Sequence, residues 1–477
     1  MRYYSTRNKN RAVNFAAAAL AGLAPDGGLF VPGEIPQYPG AVKSSLGNMD
    51  FCDIAFETIK LYVDSEIPGA VLSDLVHSAY PFTAPLVAVG DRLILELFHG
   101  PTAAFKDFGA RFMARAFAYL RRGEDKPLRI LVATSGDTGG AVADGFFEVP
   151  GIFVTVLYPK GRVTPLQERQ IAGLGKNISA LAVEGTFDDC QRLVKAALAD
   201  EGLRKKTALS SANSINVSRL IPQAVYYSAA AGRAFAGRLD PDGEATPRAE
   251  ARNVPPQDRA EGRGSEMLAH NNGMAARFGV RGGEPATLCV PSGNFGNLTA
   301  GLYAMKMGAP IARFIAATNI NKTVPDYLAN GEYRARASQA TISNAMDVGA
   351  PSNFERMAAH FSWEEMKKII LGVSVSDEET GKTIAEVHRD CGYFLDPHSA
   401  VGWTGVDKLF TENKISAGPV GVLSTAHPAK FSETVTPLAG PAPVPASLAR
   451  AKERSVLSRI IPAEVSALID FLNGAQQ

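Results

Sequence analysis

Lys106 lies in the stretch "ELFHGPTAAFKDFG", flanked by Phe105 and Asp107–Phe108, where an apolar run gives way to a helical pattern. Apolar neighbours disfavour the ammonium, lower the lysine pKa and make a free amine available, the form that builds a Schiff base with a carbonyl. Taken alone, these residues favour a plainer reading, a snorkelling lysine paired with Asp107 at the surface. Other stretches must decide.

Four loops offer partners for such an amine. In "CVPSGNFGNLTAGL" a strand ends at Val290, Gly293 and Gly296 permit close backbone approach, and a helix starts near Asn297 or Leu298, so loop N–H groups and the helix dipole form an anion cradle. A plain tight turn fits that loop equally well. "ATSGDTGGAV" repeats the design with Thr134, Ser135, Gly136, Asp137 and Thr138, and suits a small carboxylate. Capping of the following helix by Ser135, Asp137 or Thr138 accounts for it as readily. "LSSANSINVSRLIPQ" gathers Ser210, Ser211, Asn213, Ser214, Asn216, Ser218 and Arg219, either an extended cap or a bidentate site for phosphate or carboxylate. "VLSTAHPAKF" adds Ser424, Thr425, His427 and Lys430; His427 by itself reads as structural. Together the loops could hold a phosphate, a carboxylate and a second anion beside a softened lysine. Pyridoxal phosphate acting on an anionic amino acid needs these parts.

Elements that could position the loops follow a regular order. From about residue 95 onward, apolar β-rich runs alternate with helical patterns, the signature of an α/β fold with parallel sheets covered on both faces. Ligands in such folds bind beyond the carboxyl ends of the strands, which points to the loops after "LILELF", "ILVA" and "TLCV".

The 477 residues suffice for two to four domains at ~100–200 residues each. Lys plus Arg (49) nearly balance Asp plus Glu (48), so no global charge draws the chain to nucleic acid or to an anionic membrane, and the expected partner is a small molecule. Cys52, Cys190, Cys289 and Cys391 form no C-x-x-C and signal neither zinc nor a disulfide framework, which suits a reducing cytoplasm. The basic start followed by "AVNFAAAALAGLA" superficially copies a signal peptide. It is Ala-rich, is broken by Asn14 and runs into the turn and strand of "PDGGLFVP", so it is read as an amphipathic helix. No run approaches the ~18 apolar residues of a membrane span. Residues 239–264 carry four Pro, three Gly and ten charged residues and read as a mobile surface insertion.

Long motifs then bring in a family. "PDGGLFVP", "ELFHGPTAAFKDFGARFMA", "ATSGDTGGAVA", "TPLQERQ", "SSANSINVSRL", "PSGNFGNLTAGL", "FIAATNINKTVPDYL", "SNAMDVGAPSNFER" and "TAHPAKF" resemble the bacterial and fungal threonine synthase family over nearly the whole chain. The resemblance implies a fold-type-II, tryptophan-synthase-beta-like pyridoxal-phosphate enzyme. Such a fold has two open, twisted, mostly parallel sheets covered by helices, and an additional N-terminal domain. It implies an N-terminal domain over 1–95, a catalytic core over 96–440 with a smaller subdomain near 128–225, and a helical segment over 441–477. Lys106 would be the Schiff-base lysine and proton carrier, Gly293, Asn294, Phe295, Gly296 and Asn297 would hold the cofactor phosphate, and Thr425 would meet the pyridine nitrogen. Ser135, Gly136 and Thr138 resemble the loop that receives the substrate carboxylate. Asp137 stands where many relatives carry Asn near the cofactor's phenolic oxygen. Ser214, Asn216 and Arg219 are the residues expected to hold the leaving phosphate.

The implied reaction converts O-phospho-L-homoserine and water to L-threonine and phosphate, in a monomer or weak homodimer. An eliminating dehydratase or phospho-lyase is the nearest alternative, and a silent binding protein of the same fold the next. Two departures from the family pattern are Ala350, where a polar residue is common, and Lys176, where Gly or another small residue is frequent.

Overall fold

The strands feeding the candidate loops are nearly continuous apolar runs, and the reason is burial on both faces. A computed structural model describes residues 1–239, 282–415 and 418–474; apart from Leu239, the insertion read over 239–264 lies outside them. The described strands are β1 (Tyr3–Ser5), β2 (Phe30–Pro32), β3 (Leu86–Val89), β4 (Arg92–Glu96), β5 (Leu128–Ala133), β6 (Ile152–Pro159), β7 (Ile178–Glu184), β8 (Ala208–Ser211), β9 (Ala286–Pro291), β10 (Ile311–Thr318), β11 (Ile370–Ser374), β12 (Val420–Ser424) and β13 (Arg459–Pro462). Every residue of β5 and of β12 is buried, as strands covered by helices on both faces require.

One sheet runs β11-β10-β9-β12-β4-β3 and is parallel except at the antiparallel β3–β4 edge. The other, β13-β7-β6-β5-β8, is parallel throughout. This is the fold-type-II arrangement expected from the motifs, with an N-terminal region of helices and the β1–β2 ribbon added. The Ala-rich run forms the helix Phe15–Ala21, capped by Asn14, whose side chain accepts a hydrogen bond from the Ala17 N–H at 2.9 Å.

Two borders differ from the sequence reading. β3 and most of β4 precede residue 96 yet belong to the six-stranded sheet. The C-terminal stretch is not purely helical, because β13 joins β7 as an edge strand between the helices Ala446–Lys452 and Val465–Gly474. A four-residue strand is too short for periodicity to reveal.

The helix Lys106–Leu120 starts at the candidate lysine. It is anchored by Phe108, whose ring centroid lies 5.5 Å from Phe51, 5.1 Å from Phe82 and 5.2 Å from Tyr226. Each such pair adds roughly 0.5–1.5 kcal/mol beyond its buried area, so the first turn of this helix is rigidly seated. No helix among the described residues is long and apolar enough to cross a membrane.

The family departure at Lys176 has a physical signature. Its φ is +54°, in the left-handed region that favours glycine, and its side chain is exposed and paired with Glu148. Lys176→Gly is expected to stabilise the fold by about 0.5–1 kcal/mol, because relief of the Cβ clash outweighs an exposed ion pair and the added chain entropy. Urea denaturation of the two proteins measures this; a less stable variant would contradict it.

Candidate active site

The site is built where the chain leaves β4 and β12 side by side. Beyond the strands, the Leu97 N–H donates to the Ser424 carbonyl at 2.9 Å, the Phe105 N–H to the Thr425 carbonyl at 2.9 Å and the His427 N–H to the Ala103 carbonyl at 3.0 Å. The two loops thus extend the pairing and place Lys106 next to Thr425. Loops after β5, β8 and β9 reach the same point, and a cavity of about 310 Å³ results. Of the residues singled out in the sequence, Lys106, Ser135, Asp137, Thr138, Ser214, Arg219, Gly293, Asn294, Phe295, Gly296, Asn297 and Thr425 all line it.

The surface pairing of Lys106 with Asp107 is not what forms. Asp107 is fully buried and turned back on its own loop, its carboxylate accepting from the Thr102 N–H at 2.9 Å and the Thr102 hydroxyl at 2.6 Å. Burial pushes its pKa up to about 6. Lys106 instead faces Asp137, with Nζ 3.4 Å from Oδ2. Burial pulls the Lys106 ammonium down from its ordinary range, Asp137 opposes this, and Lys430 and Arg219 lower it further.

Gly136 and Asn216 stand apart from the cavity wall. Gly136 precedes the helix Asp137–Phe146 at φ +143°, and a Cβ there would lie 2.5 Å from the Gln167 amide. Capping in this loop falls to Thr134, whose Oγ1 accepts from the N–H groups of Gly136 at 3.0 Å and Gly139 at 2.9 Å, which leaves Ser135 and Thr138 at the cavity. Asn216 is fully buried and committed. Its amide donates to the Ala19 and Ser211 carbonyls and its Oδ1 accepts from Ser218, so it braces the loop and cannot hold a phosphate.

The glycine loop fits an anionic group. Phe295 is buried at φ +59°, a conformation costly for a bulky residue and one that turns successive N–H groups the same way. The twelve-residue helix Gly296–Met307 begins there, adding the positive end of its dipole. A Cβ on Gly293 would lie 2.7 Å from the Ala345 carbonyl, so only glycine allows this approach. Asn297 accepts from the Tyr226 and Tyr227 hydroxyls at 2.6 and 2.7 Å, while its buried Nδ2 has no protein partner. Asn294 bridges the walls, donating to Ser214 Oγ at 2.6 Å and accepting from the Ser352 N–H. An orphaned amide donor, a helix start and a desolvated lysine in one cavity are the donor set that a phosphate-bearing aldehyde such as pyridoxal phosphate needs.

Two cavity residues and one that braces the cavity from behind went unnoticed in the sequence. His398 donates from Nδ1 to Asp396 at 2.7 Å and accepts at Nε2 from the Ala345 N–H at 3.2 Å, which fixes its tautomer and holds the wall opposite Gly293. Asp347 also lines the cavity, and burial pushes its pKa up to about 6 against bonds from Thr341 and Asn319. Arg356, fully buried, donates to the carbonyls of Phe30, Ser214 and Ile215 and fixes the backbone at Ser214. The quoted motif "SNAMDVGAPSNFER" contains two of these three, but no local pattern marks which side chains turn inward.

Comparison with known proteins agrees with this geometry. Residues 2–80 match the family model described as threonine synthase N terminus, residues 90–230 and 266–426 that of the pyridoxal-phosphate dependent enzymes, and residues 399–472 that of threonine synthase, C-terminal. The chain is 38% identical over 471 residues to threonine synthase of Escherichia coli strain K12, covering 98% of both proteins. Its structure is similar to the crystal structure of threonine synthase from Escherichia coli, with a TM-score of 0.83 over 100% of both chains at 38% identity. It is likewise similar to that of pyridoxal-phosphate-bound threonine synthase from Brucella melitensis, with a TM-score of 0.82 over 100% of both chains at 32% identity.

Proposed function

The chain belongs to the threonine synthase family of pyridoxal-phosphate-dependent enzymes, and from that premise we propose how its own residues divide the work. The reaction is the conversion of O-phospho-L-homoserine and water to L-threonine and phosphate, with pyridoxal 5'-phosphate as cofactor. When bound, that cofactor supplies an electron sink that makes the protons on Cα and Cβ removable.

Lys106 would be the amine that holds the cofactor and, when its nitrogen is free, the base that moves these protons. Burial and two nearby cations favour its uncharged form, which the base role needs. The loop from Gly293 to Asn297 holds the cofactor phosphate through backbone N–H groups and the free Asn297 amide. Thr425, on the cavity wall, would offer a hydroxyl to the cofactor ring nitrogen, a partner that does not force protonation there. Asp137, beside Lys106 Nζ, favours a protonated nitrogen at that position. Ser135 and Thr138 receive the substrate carboxylate, with Gly136 shaping their turn. Arg219 and Ser214 hold the departing phosphate, and Asn216 sets the loop that carries them.

The observation that carries this reading is the convergence of Lys106, the glycine loop and Arg219 on one cavity. In this proposal the enzyme works in the cytoplasm, an expectation resting on four widely spaced cysteines, and acts as a monomer or weak homodimer. Incubated with phosphohomoserine, the purified protein is expected to release threonine and phosphate in equal amounts. A 2-oxo acid and ammonia in place of threonine would identify an eliminating enzyme instead.

A further inference from the structure

Lys430 lies in the 3-10 turn Pro428–Phe431, six residues beyond Ser424, the last strand residue that pairs β12 with β4 at Glu96, and is 1% exposed. Its Nζ is 2.8 Å from Asp137 Oδ1 and donates to the Thr102 carbonyl at 2.7 Å. Gln167 Nε2 donates to the same Oδ1 at 2.9 Å. One carboxylate oxygen is therefore occupied twice, and the other, Oδ2, is left to Lys106 Nζ at 3.4 Å. Two ammonium groups compete for a single buried carboxylate, and Lys430 has the shorter contact.

We propose that Lys430 is a positioning residue for the reaction: it pins Asp137 through Oδ1, aims Oδ2 at Lys106, and makes Lys106 the ammonium that gives up its proton. The argument rests on the reading of Lys106 as the reacting amine. With Lys106 charged, the trio carries one net positive charge in a largely buried site. With Lys106 neutral, Asp137 and Lys430 remain as a self-neutralising pair, so proton loss costs no unpaired buried charge. The charged groups facing Lys106 are Asp137, Lys430 and Arg219, and the titratable groups facing Asp137 are Lys430, Lys106 and His398. Burial would raise the Asp137 carboxyl, but Lys430 and then Lys106 overcome it and hold the group far below the usual carboxylate range. Asp137 therefore stays an anion throughout, and of the two ammonium groups beside it Lys106, with the longer contact and no carbonyl partner for its Nζ among the described residues, is the one placed to release its proton.

The test reads Lys106 itself. The cofactor-free full-length chain is reductively methylated with formaldehyde across a pH series, and modification at Lys106 is quantified by peptide mass spectrometry. In Lys430→Met the midpoint for Lys106 is expected to rise by about one pH unit or more, the effect of removing a nearby like charge while leaving an opposite one. A folded Lys430→Met with an unmoved midpoint would overturn the proposal, since a merely structural lysine would alter stability alone. Should that variant not fold, Asp137→Asn and the double variant Asp137→Asn/Lys430→Met decide, because neither leaves a buried carboxylate short of a partner. The midpoint must fall in the first and recover in the second; equal midpoints in the two would also overturn it. Threonine formation by Lys106→Ala would refute the reading of Lys106 without touching this result.

Discussion

Lys106→Ala is expected to lower threonine formation by at least about 10⁴-fold, because in the proposed assignment one substitution removes both the amine that carries the cofactor and the general base. The protein should nevertheless fold. Asp137 keeps Lys430 and Gln167 as partners, so no buried carboxylate is orphaned. The lost group was itself a partly desolvated amine, whose removal costs little, and the helix keeps its Phe108 anchor. The expected picture is thus a thermal midpoint within a few degrees of the parent, no visible band from a lysine-linked cofactor, and no threonine above background. Residual activity within a hundredfold of the parent would show that another group moves the protons. An unfolded variant would instead show that the lysine is structural.

Much of this site was legible in the sequence, for a physical reason that also sets the limit. A buried parallel strand must be apolar at nearly every position, and the loop after it must turn the chain, so β4, β5, β9 and β12 announce themselves together with the glycines and hydroxyls at their ends. The loops could be found one at a time. Which side chain in a loop faces the cavity depends on backbone angles that no residue type dictates. Thr134, not Ser135 or Asp137, caps its helix because Gly136 sits at φ +143° and swings the chain around the Thr134 hydroxyl. Asn216 looked like a phosphate ligand and is a brace, since its amide meets Ala19 from a distant part of the chain. The same holds for Lys106. Its neighbour Asp107 was the visible partner, while Asp137, Lys430 and Gln167 arrive from three other loops and helices, and only the fold joins them.

Arg219→Lys is expected to lower kcat/KM for phosphohomoserine by about 100-fold, the loss of one charge-assisted hydrogen bond at a buried position. The guanidinium is 1% exposed, and Nη1 is already committed to the Ala212 carbonyl at 2.6 Å. Nε is buried without a protein partner, so the planar group can be anchored at one nitrogen while presenting another to an anion. Burial draws its pKa down only to about 10, so it stays cationic at neutral pH. Its backbone is fixed as well, because the Arg219 carbonyl lies 2.5 Å from where a Cβ on Gly109 would stand, close against the helix that begins with Lys106. A lysine has a single nitrogen and can satisfy Ala212 or face the cavity, not both. If the arginine grips the departing phosphate, inhibition by inorganic phosphate should weaken by a similar factor while the visible spectrum of the bound cofactor stays as in the parent. An unchanged kcat/KM, or a spectrum lost together with activity, would remove Arg219 from the substrate side of the site and place it with the cofactor or the scaffold.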